Sequence, residues 1–508
     1  ADRITAVLAA HGGGLLASGR VATASGGRDL AVFKYEDDGS LDTSFGGGDG
    51  IASVDVDGNA SSDVGAALAL QSDGKIVVAG RTTADDPGAD DDSVIVRFEA
   101  DGTLDDDGDD AGFGGDGIAL PGANPTDTDR LEDVAVDGSG RVVAAGYVEE
   151  GELIGDFEGD FLVVRLTASG ALDTAFDGDS GSGNGVVRVS FGSGDFHFEE
   201  AFGLDLADDG DIVVAGDVYT GDTDGDDVIG LARLESTDGD LVTSFDDDGL
   251  ATTDLAEGAF VDEVVTSPDK ITIVGSTGSD LLLARYAQAS GDPDATFGSG
   301  GVATLTSETA GVTQVSGNDI AIDGSGYAVS ANLRDDSGAG EDVAAIAFTG
   351  SGAPDSDFAE DGIARISTAP PAGLERAVAV AVEDDGNALT QNAIVIGGES
   401  TLDEPEAFDG VLVRFAADET PPVTTIRRPR AGKTKDRTPT LSFTVSEPDT
   451  TSRCRIDAKP WVEDCASGFT FPRQPLGRHV IRVASTDHDG NVESPAAKRS
   501  FRIVARRR

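Results

Sequence analysis

Runs of aspartate and glycine are the residues of this chain best suited to chemistry, because clustered carboxylates can bind calcium. The strongest candidates, Asp222, Asp224 and Asp226, alternate with other residues in one run. An EF-hand-type loop needs acids at positions 1, 3 and 5, glycine at position 6 and glutamate at position 12. Here glycine stands at position 4, and Arg233 stands at position 12. The run departs from a standard loop, so we expect solvated turns and keep an irregular calcium site as the alternative.

No set of residues predicts catalysis. Gly178–Gly181 reads like the nucleophile string of chymotrypsin-like proteases, but it lies in a segment rich in Gly, Ser and Asp, and no histidine occupies a matching repeat. His197, beside Glu199 and Glu200, is the best-placed histidine for a metal, yet a lone histidine is rarely a ligand. We therefore predict a protein that is not an enzyme, with no catalytic residue and no cofactor.

The charge of the chain is divided sharply along its length. The net charge is −59, yet residues 421–508 hold 18 basic and 9 acidic side chains, whereas residues 1–420 hold 18 basic and 86 acidic ones. Such an acidic field repels nucleic acid and attracts cations. No apolar run is long enough to cross a bilayer. The sequence thus predicts no nucleic-acid partner and no transmembrane segment, and solubility alone could explain the charge.

A repeated unit fills most of the acidic part. Two Val/Ile/Leu-rich runs meet at an Asp-Gly turn such as Asp73-Gly74, and a third run carries a basic residue. Seven copies can be found, each long enough for a four-stranded blade, and together they predict a β-propeller. A glycine closes the second run, as at Gly80 and Gly397. Because the basic residue recurs in six of the seven copies, with Ala347 as the exception, we predict that it pairs with a turn aspartate or with backbone carbonyls.

The position of a missing strand follows from the way the copies are divided. Segments of the form Gly-Ile or Gly-Val, such as Gly117-Ile118, are interpreted as the first strand of each unit. Six of them accompany seven sets of the other runs, so one blade should have three strands. No such segment follows Phe415, and we therefore expect the first blade to be incomplete, with its missing strand upstream of Ala1.

The repeat motif resembles a known family. Leu41-Asp42-Thr43-Ser44-Phe45-Gly46, the run Asp73 to Gly80 and Ala284-Arg285-Tyr286 are similar to the delta-60 repeat of exported bacterial proteins. This resemblance implies a propeller and no established activity. It covers residues 1–418, while the sixth and seventh copies depart most from the motif.

A second domain is predicted for residues 419–508, because Thr420-Pro421-Pro422 interrupts the repeat and the charge changes sign there. Its short strands predict a β-sandwich, and the segment from Gly477 to Asn491, with Trp461 near Cys465, resembles bacterial immunoglobulin-like modules. The two cysteines, Cys454 and Cys465, are expected to form a disulfide, which points to an oxidising compartment.

The predicted fold is therefore all-β: a seven-bladed propeller with an incomplete first blade, followed by an immunoglobulin-like sandwich. We expect an exported, non-enzymatic binding or cell-surface scaffold protein with an unidentified protein or surface partner. The alternatives are a hydrolase or lyase with its site at the channel mouth and a calcium-loaded structural protein. The acidic loops after the closing glycines should gather on one face and attract cations. They comprise residues 81–92, 147–160, 217–227 and 398–409.

Overall fold

The computed structural model divides the chain into two compact units, Ala1–Glu383 with Ile394–Phe415, and Asp384–Ala393 with Ala416–Arg508. It describes residues 2–505 except for 11–12, 24–26, 59–60, 84–89, 107–111, 123–126, 151–157, 179–182, 193–197, 220–226, 325, 335–340, 357, 367–374, 384–392, 405–406, 416–421, 447–449, 463–464 and 487–491. The described helices are single turns, too short to span a membrane.

In its described residues, the first unit forms seven antiparallel sheets, each built from consecutive strands. Sheets 1 and 2 comprise β1 (Arg3–Ala9), β2 (Leu15–Ala22), β3 (Arg28–Tyr35) and β4 (Ile51–Val54), then β5 (Val64–Leu70), β6 (Ile76–Thr83), β7 (Asp91–Phe98) and β8 (Ile118–Ala119). Sheets 3 and 4 comprise β9 (Thr128–Val136), β10 (Val142–Glu150), β11 (Glu158–Leu166) and β12 (Val186–Val189), then β13 (Phe198–Leu206), β14 (Ile212–Tyr219), β15 (Asp227–Leu234) and β16 (Leu250–Thr253).

The remaining sheets follow the same plan. Sheets 5 and 6 comprise β17 (Phe260–Ser267), β18 (Lys270–Thr277), β19 (Asp280–Ala287) and β20 (Val302–Leu305), then, after α1 (Ser307–Ala310), β21 (Gln314–Asp323), β22 (Gly326–Arg334), β23 (Glu341–Phe348), α2 (Ala359–Gly362) and β24 (Ile363–Ile366). Sheet 7 comprises β25 (Glu375–Glu383), β26 (Ala393–Glu404) and β27 (Ala407–Phe415). In the described residues, sheet 7 alone has three strands.

The prediction of an incomplete first blade is wrong, although one sheet does have three strands. Ile51–Val54 pairs with β3, and Ile118–Ala119 pairs with β7. Each Gly-Ile or Gly-Val segment is therefore the fourth, outermost strand of the preceding sheet and not the first strand of the next. Sheet 1 has four strands, and the short sheet is the last one. The sequence did not reveal the pairing because such a short strand fits either neighbour.

Hydrophobic cores lie between consecutive sheets. The strands are rich in Val, Ile and Ala because both of their faces are covered by neighbouring sheets. Leu30 and Val78 share one such core between sheets 1 and 2. The same packing closes the series, since Ile4 and Val7 of sheet 1 share a core with Val395 of sheet 7. The sheets thus surround a central channel lined by their innermost strands.

A glycine on the second strand lets the innermost strand bulge toward it. A Cβ at Gly80 would lie 1.9 Å from the carbonyl oxygen of Val64, and one at Gly275 would lie equally close to that of Phe260. In sheet 7 the equivalent residue is Gly398, where a Cβ would lie 2.1 Å from the Arg376 oxygen. The sequence assignment of Gly397 to this position is therefore wrong by one residue.

The Leu-Asp-x-x-Phe-Gly motif and the basic residue of the third strand form a contact between neighbouring sheets, which we call the latch. Arg165 donates to Asp173 at 2.8 Å and, in the next sheet, to the carbonyl of Ser236 at 2.6 Å. Its guanidinium lies 4.4 Å from the centre of the Phe176 ring. Arg97 and Arg285 make equivalent contacts. The predicted structural role of the repeated basic residue is confirmed.

Sheet 4 shows how the latch tolerates a change of sequence. Its motif has Val242 where the other copies have aspartate. Arg233 pairs instead with Asp209 at 2.6 Å and Asp211 at 3.0 Å, both in the turn that joins the first two strands. It still donates to the carbonyl of Gln288 in sheet 5. The acidic partner of the arginine therefore comes from a different turn in this sheet, and the arginine is still paired.

The second unit encloses a separate core between two sheets. β28 (Thr424–Arg428) pairs with β30 (Ser442–Val445), and the other sheet has the order β29 (Gly432–Thr434), β33 (Ala497–Ile503), β32 (Gly477–Thr486) and β31 (Thr451–Ile456). The segment Gly468–Pro472 contributes an isolated bridge between Thr470 and Thr440. Cys454 and Cys465 are joined by a disulfide, with their Cα atoms 5.7 Å apart, inside this core.

Reduction of the disulfide should destabilise the second unit alone. A loop of this length is expected to contribute about 2–3 kcal/mol to the free energy of unfolding. The chain has no other cysteine and only one tryptophan, Trp461, which lies in this unit. Denaturant unfolding followed by tryptophan fluorescence, with and without reductant, measures the effect. The β-sheet circular dichroism of the first unit serves as the internal control, and an unchanged fluorescence midpoint would contradict the prediction.

Candidate functional site: the central channel

The channel has a volume of about 670 Å³ and is lined by side chains of the innermost strands. In each of six sheets the register of the innermost strand shifts by one residue, which marks a β-bulge. In sheet 3 the bulge places both Glu132 and Asp133 on the channel wall, where strict alternation would place one of them. The equivalent pairs are Asp262 with Glu263 in sheet 5 and Asn318 with Asp319 in sheet 6.

Asp133 and Asp319 connect neighbouring sheets inside the channel. Asp133 accepts hydrogen bonds from the backbone N–H of Val134 and, in sheet 4, from that of Leu204, each at 2.7 Å. Asp319 accepts in the same way from Ile320 and from Val380 in sheet 7. Loss of hydration nevertheless raises the pKa of both carboxyl groups. Part of the carboxylate cluster is therefore structural.

Glu263 fills the position that an aspartate takes in sheets 3 and 6. Its carboxyl oxygen accepts from the backbone N–H of Val264 at 2.7 Å. A Cβ at Gly203 of sheet 4 would lie 2.5 Å from this oxygen, so the glycine makes room for the longer side chain. Enclosure by protein raises the pKa of Glu263 well above its usual value, and repulsion by Asp133 and Asp319 raises it further.

A second cavity of about 520 Å³ adjoins the channel and shares Phe202, Asp262, Asn318 and Arg376 with it. Asp217 lines this cavity and accepts from the backbone N–H of Val261 at 2.7 Å. Loss of hydration raises the pKa of Asp217 to about 8, and it raises the pKa of Asp262 to about 7. Carboxyl groups that titrate near neutral pH can exchange protons with a ligand or a substrate.

Four arginines also line the channel: Arg3 and Arg20 of sheet 1, Arg81 of sheet 2 and Arg376 of sheet 7. Arg3 pairs with Glu399 at 3.3 Å, and Arg81 lies 3.6 Å from Glu132. Burial lowers the pKa of Arg20 to about 10, and the positive charges of Arg3, Arg28 and Arg81 add to this effect. The channel thus holds ionisable groups of both signs.

The residues singled out from the sequence lie elsewhere or outside the described residues. Asp222, Asp224 and Asp226 fall in the segment 220–226, and His197 falls in 193–197, so both predictions lie outside the described part. The acidic loops are described only in part. The strand ends that flank them all lie at the end of the sheets where the innermost strands begin.

Another acidic group, Asp29, Asp55 and Asp63, brings three carboxylate oxygens within 4.8 Å of one another. Asp63 already accepts from Val56, Ser61 and Thr82, which satisfies its oxygens without a metal ion. The pKa of Asp29 and that of Asp63 are both raised, mainly by loss of hydration. Hydrogen bonds within the protein therefore account for Asp63, the buried member of this group.

Sequence reasoning missed the channel residues. They come from copies of the repeat that are far apart in the chain, and each resembles an ordinary polar position of a strand. One signal was available: Glu132-Asp133, Asp262-Glu263 and Asn318-Asp319 occupy the same two positions of three copies, where Ala66-Ala67 stands in another.

The sheets and the channel that they surround define a β-propeller protein. A family model described as "Domain of unknown function (DUF5122) beta-propeller" matches residues 13–45, 71–107 and 138–176, which cover the second and third strands of sheets 1, 2 and 3. A comparison with curated proteins finds no similar sequence.

Two solved structures illustrate the structural comparison. One is the extracellular domain of a B. thetaiotaomicron protein described as a hybrid two component system, with 10% identity, a TM-score of 0.19, and coverage of 99% of this chain and 75% of that one. The other is a GH43 endo-arabinanase from Bacillus licheniformis, with 10% identity, a TM-score of 0.27, and coverage of 68% and 92%. At these TM-scores, neither structure bears on the ligand or the activity of this protein.

Proposed function

We propose that the chain is an exported, non-enzymatic binding protein of the cell surface, whose seven-bladed propeller of the delta-60 type holds a small ligand in its channel. The observation that carries this proposal is the channel itself, about 670 Å³ in volume and lined by arginines and carboxylates. Most ligand sites are concave and of this size, with a few polar groups that orient the ligand. The disulfide of the second unit supports export, because such bonds persist in oxidising compartments.

In this proposal the second unit is an immunoglobulin-like sandwich that acts as a spacer or adhesion unit. Two small sheets enclose one core that contains the disulfide. Its basic character contrasts with the acidic propeller, so the two units differ in the partners that they attract.

Blocking the channel tests the binding role. Ala66 is half-buried on the channel wall, and Ala66→Trp should fill space that a ligand would occupy. A library of small metabolites would be screened by thermal shift against the wild-type chain and this variant. Ala466→Trp, at an exposed position of the second unit, is the matched control. We expect compounds that stabilise the wild type and the control but not Ala66→Trp. Stabilisation that is the same in all three chains would refute a channel site.

An enzyme of the hydrolase or lyase class is the second candidate, because Asp217 and Asp262 have pKa values near neutral and border a cavity. Such groups are suited to general acid–base catalysis. Turnover of a channel ligand by the wild type, lost in Asp262→Asn, would favour the enzyme. Binding without turnover would favour the binding protein.

A further inference from the structure

The charges of the channel are separated into two halves. Sheets 7, 1 and 2 contribute the four arginines, and the carboxylate of this half, Glu399, is paired with Arg3 at 3.3 Å. Sheets 3 to 6 contribute the other carboxylates and, among the described residues that line the channel, no lysine or arginine. These are Glu132, Asp133, Asp205, Asp262, Glu263 and Asp319. One cavity therefore has a basic half and an acidic half.

The basic half contains hydrogen-bond donors that the protein does not satisfy. The Nε atom of Arg20 is buried and has no hydrogen-bond partner among the described residues. At the border of this half, the Nδ2 atom of Asn318 in sheet 6 is also buried without a partner among the described residues, although its Oδ1 atom accepts from Asn332 at 3.2 Å. Buried donors are nearly always satisfied by protein, water or a ligand. Together with the exposed Arg376, these donors fit the oxygens of an anionic group.

The acidic half contains carboxyl oxygens available to a cation. Asp133, Asp205 and Asp319 each accept hydrogen bonds from backbone N–H groups of two sheets. Asp262 and Glu263 sit beside them at the bulge of sheet 5, and Glu263 accepts from Val264 alone in the described structure. Repulsion by Asp133 and Asp319 disfavours the charged form of Glu263, whereas the positive charge of Arg376 favours that of Asp262. A positively charged group would remove that repulsion.

We propose that the channel binds a small zwitterion, with its carboxylate against Arg20, Arg376 and Asn318 and its protonated amine against Asp262 and Glu263. This inference rests on the proposed role of the channel as a ligand site and specifies the ligand class. An anion alone would leave the acidic half unneutralised, and a cation alone would leave the donors of the basic half without acceptors. A ligand that carries both charges satisfies both halves.

A series of ω-aminocarboxylates tests the proposal with the full chain. Isothermal titration at about pH 8.5, where the ligand amine is still protonated, would compare 6-aminohexanoate and its shorter and longer homologues with hexanoate and hexylamine. We expect the best zwitterion to bind at least tenfold more tightly than either singly charged compound. The length that binds best then reports the distance between the two halves.

Two single substitutions test which half of the channel binds which charged group of the ligand. Arg20→Gln should weaken the zwitterion and hexanoate by at least tenfold but leave hexylamine unchanged, whereas Asp262→Asn should weaken the zwitterion and hexylamine but not hexanoate. Arg427→Gln, at an exposed position of the second unit, is the matched control and should change nothing. A variant that had simply misfolded would lose all three compounds and the wild-type circular dichroism.

Three outcomes overturn the proposal: zwitterions and singly charged compounds bind equally, no member of the series binds, or both variants weaken all compounds alike while remaining folded. In each of these cases the channel-filling test with Ala66→Trp separately decides whether the channel is a ligand site at all. Failure of the zwitterion and failure of the binding role are thus distinguishable.

Discussion

Replacing Phe113 with alanine is expected to lower the free energy of unfolding of the propeller by about 3–5 kcal/mol. The ring is fully buried and forms part of the latch between sheets 2 and 3. A Cβ at Gly170, in the next sheet, would lie 2.9 Å from this ring, and glycine has no side chain with which to fill the cavity. The guanidinium of Arg97, 4.5 Å from the ring centre, would lose its stacking partner as well.

Denaturant unfolding followed by circular dichroism measures this loss. Leu120→Ala is the matched control, because Leu120 lies just beyond β8 of the same sheet and is 62% exposed. Tryptophan fluorescence from the second unit should be unchanged in both variants. A loss below about 1 kcal/mol for Phe113→Ala, comparable with a surface substitution, would show that the latch does not hold the sheets together.

The propeller is expected to lose stability as the pH rises from about 4 to about 8, and Asp217→Asn should remove the share of this loss that Asp217 contributes. The pKa of Asp217 is raised to about 8 in the folded protein by loss of hydration. An unfolded aspartate has a pKa of about 3.9. Between these values the folded state binds a proton that the unfolded state releases. The contribution of this group is therefore fully present below pH 4 and is lost as the pH rises, by up to about 1.4 kcal/mol per pH unit.

The amide of Asp217→Asn can still accept the hydrogen bond from Val261 while carrying no charge. The variant should match the wild type near pH 4 and exceed it in melting temperature near pH 8. Asp116→Asn, at an exposed turn position in sheet 2, is the control. Its melting temperature should match that of the wild type at both pH values. If Asp217→Asn were destabilised equally at both pH values, the charge of Asp217 would not be the cause.

The sequence was informative wherever a residue has the same structural role in most copies. The basic residue of the third strand, exemplified by Arg165, pairs with the motif aspartate and with a carbonyl as predicted. It was least informative where pairing depends on distant neighbours. Ile51–Val54 could follow one sheet or precede the next, and only its backbone pairing with β3 decides.

The channel shows the same limit more strongly. Glu132 and Asp262 come from copies more than a hundred residues apart, so their meeting depends on how the sheets are arranged and not on any local pattern. The β-bulge matters too, because it places two adjacent residues on one wall, which simple alternation does not predict.

The latch also has a consequence for how such a protein can diversify. It joins sheets at the end where the third strand finishes, as in the bond from Gly114 to the carbonyl of Ser169. The connections between second and third strands lie at the opposite end, and they range from the short turn between Thr277 and Asp280 to the longer segment between Thr83 and Asp91. Mutation can therefore lengthen, shorten or recharge these connections without disturbing the latch. New recognition surfaces can evolve on an unchanged scaffold, and engineered peptide insertions should be tolerated best at those same connections.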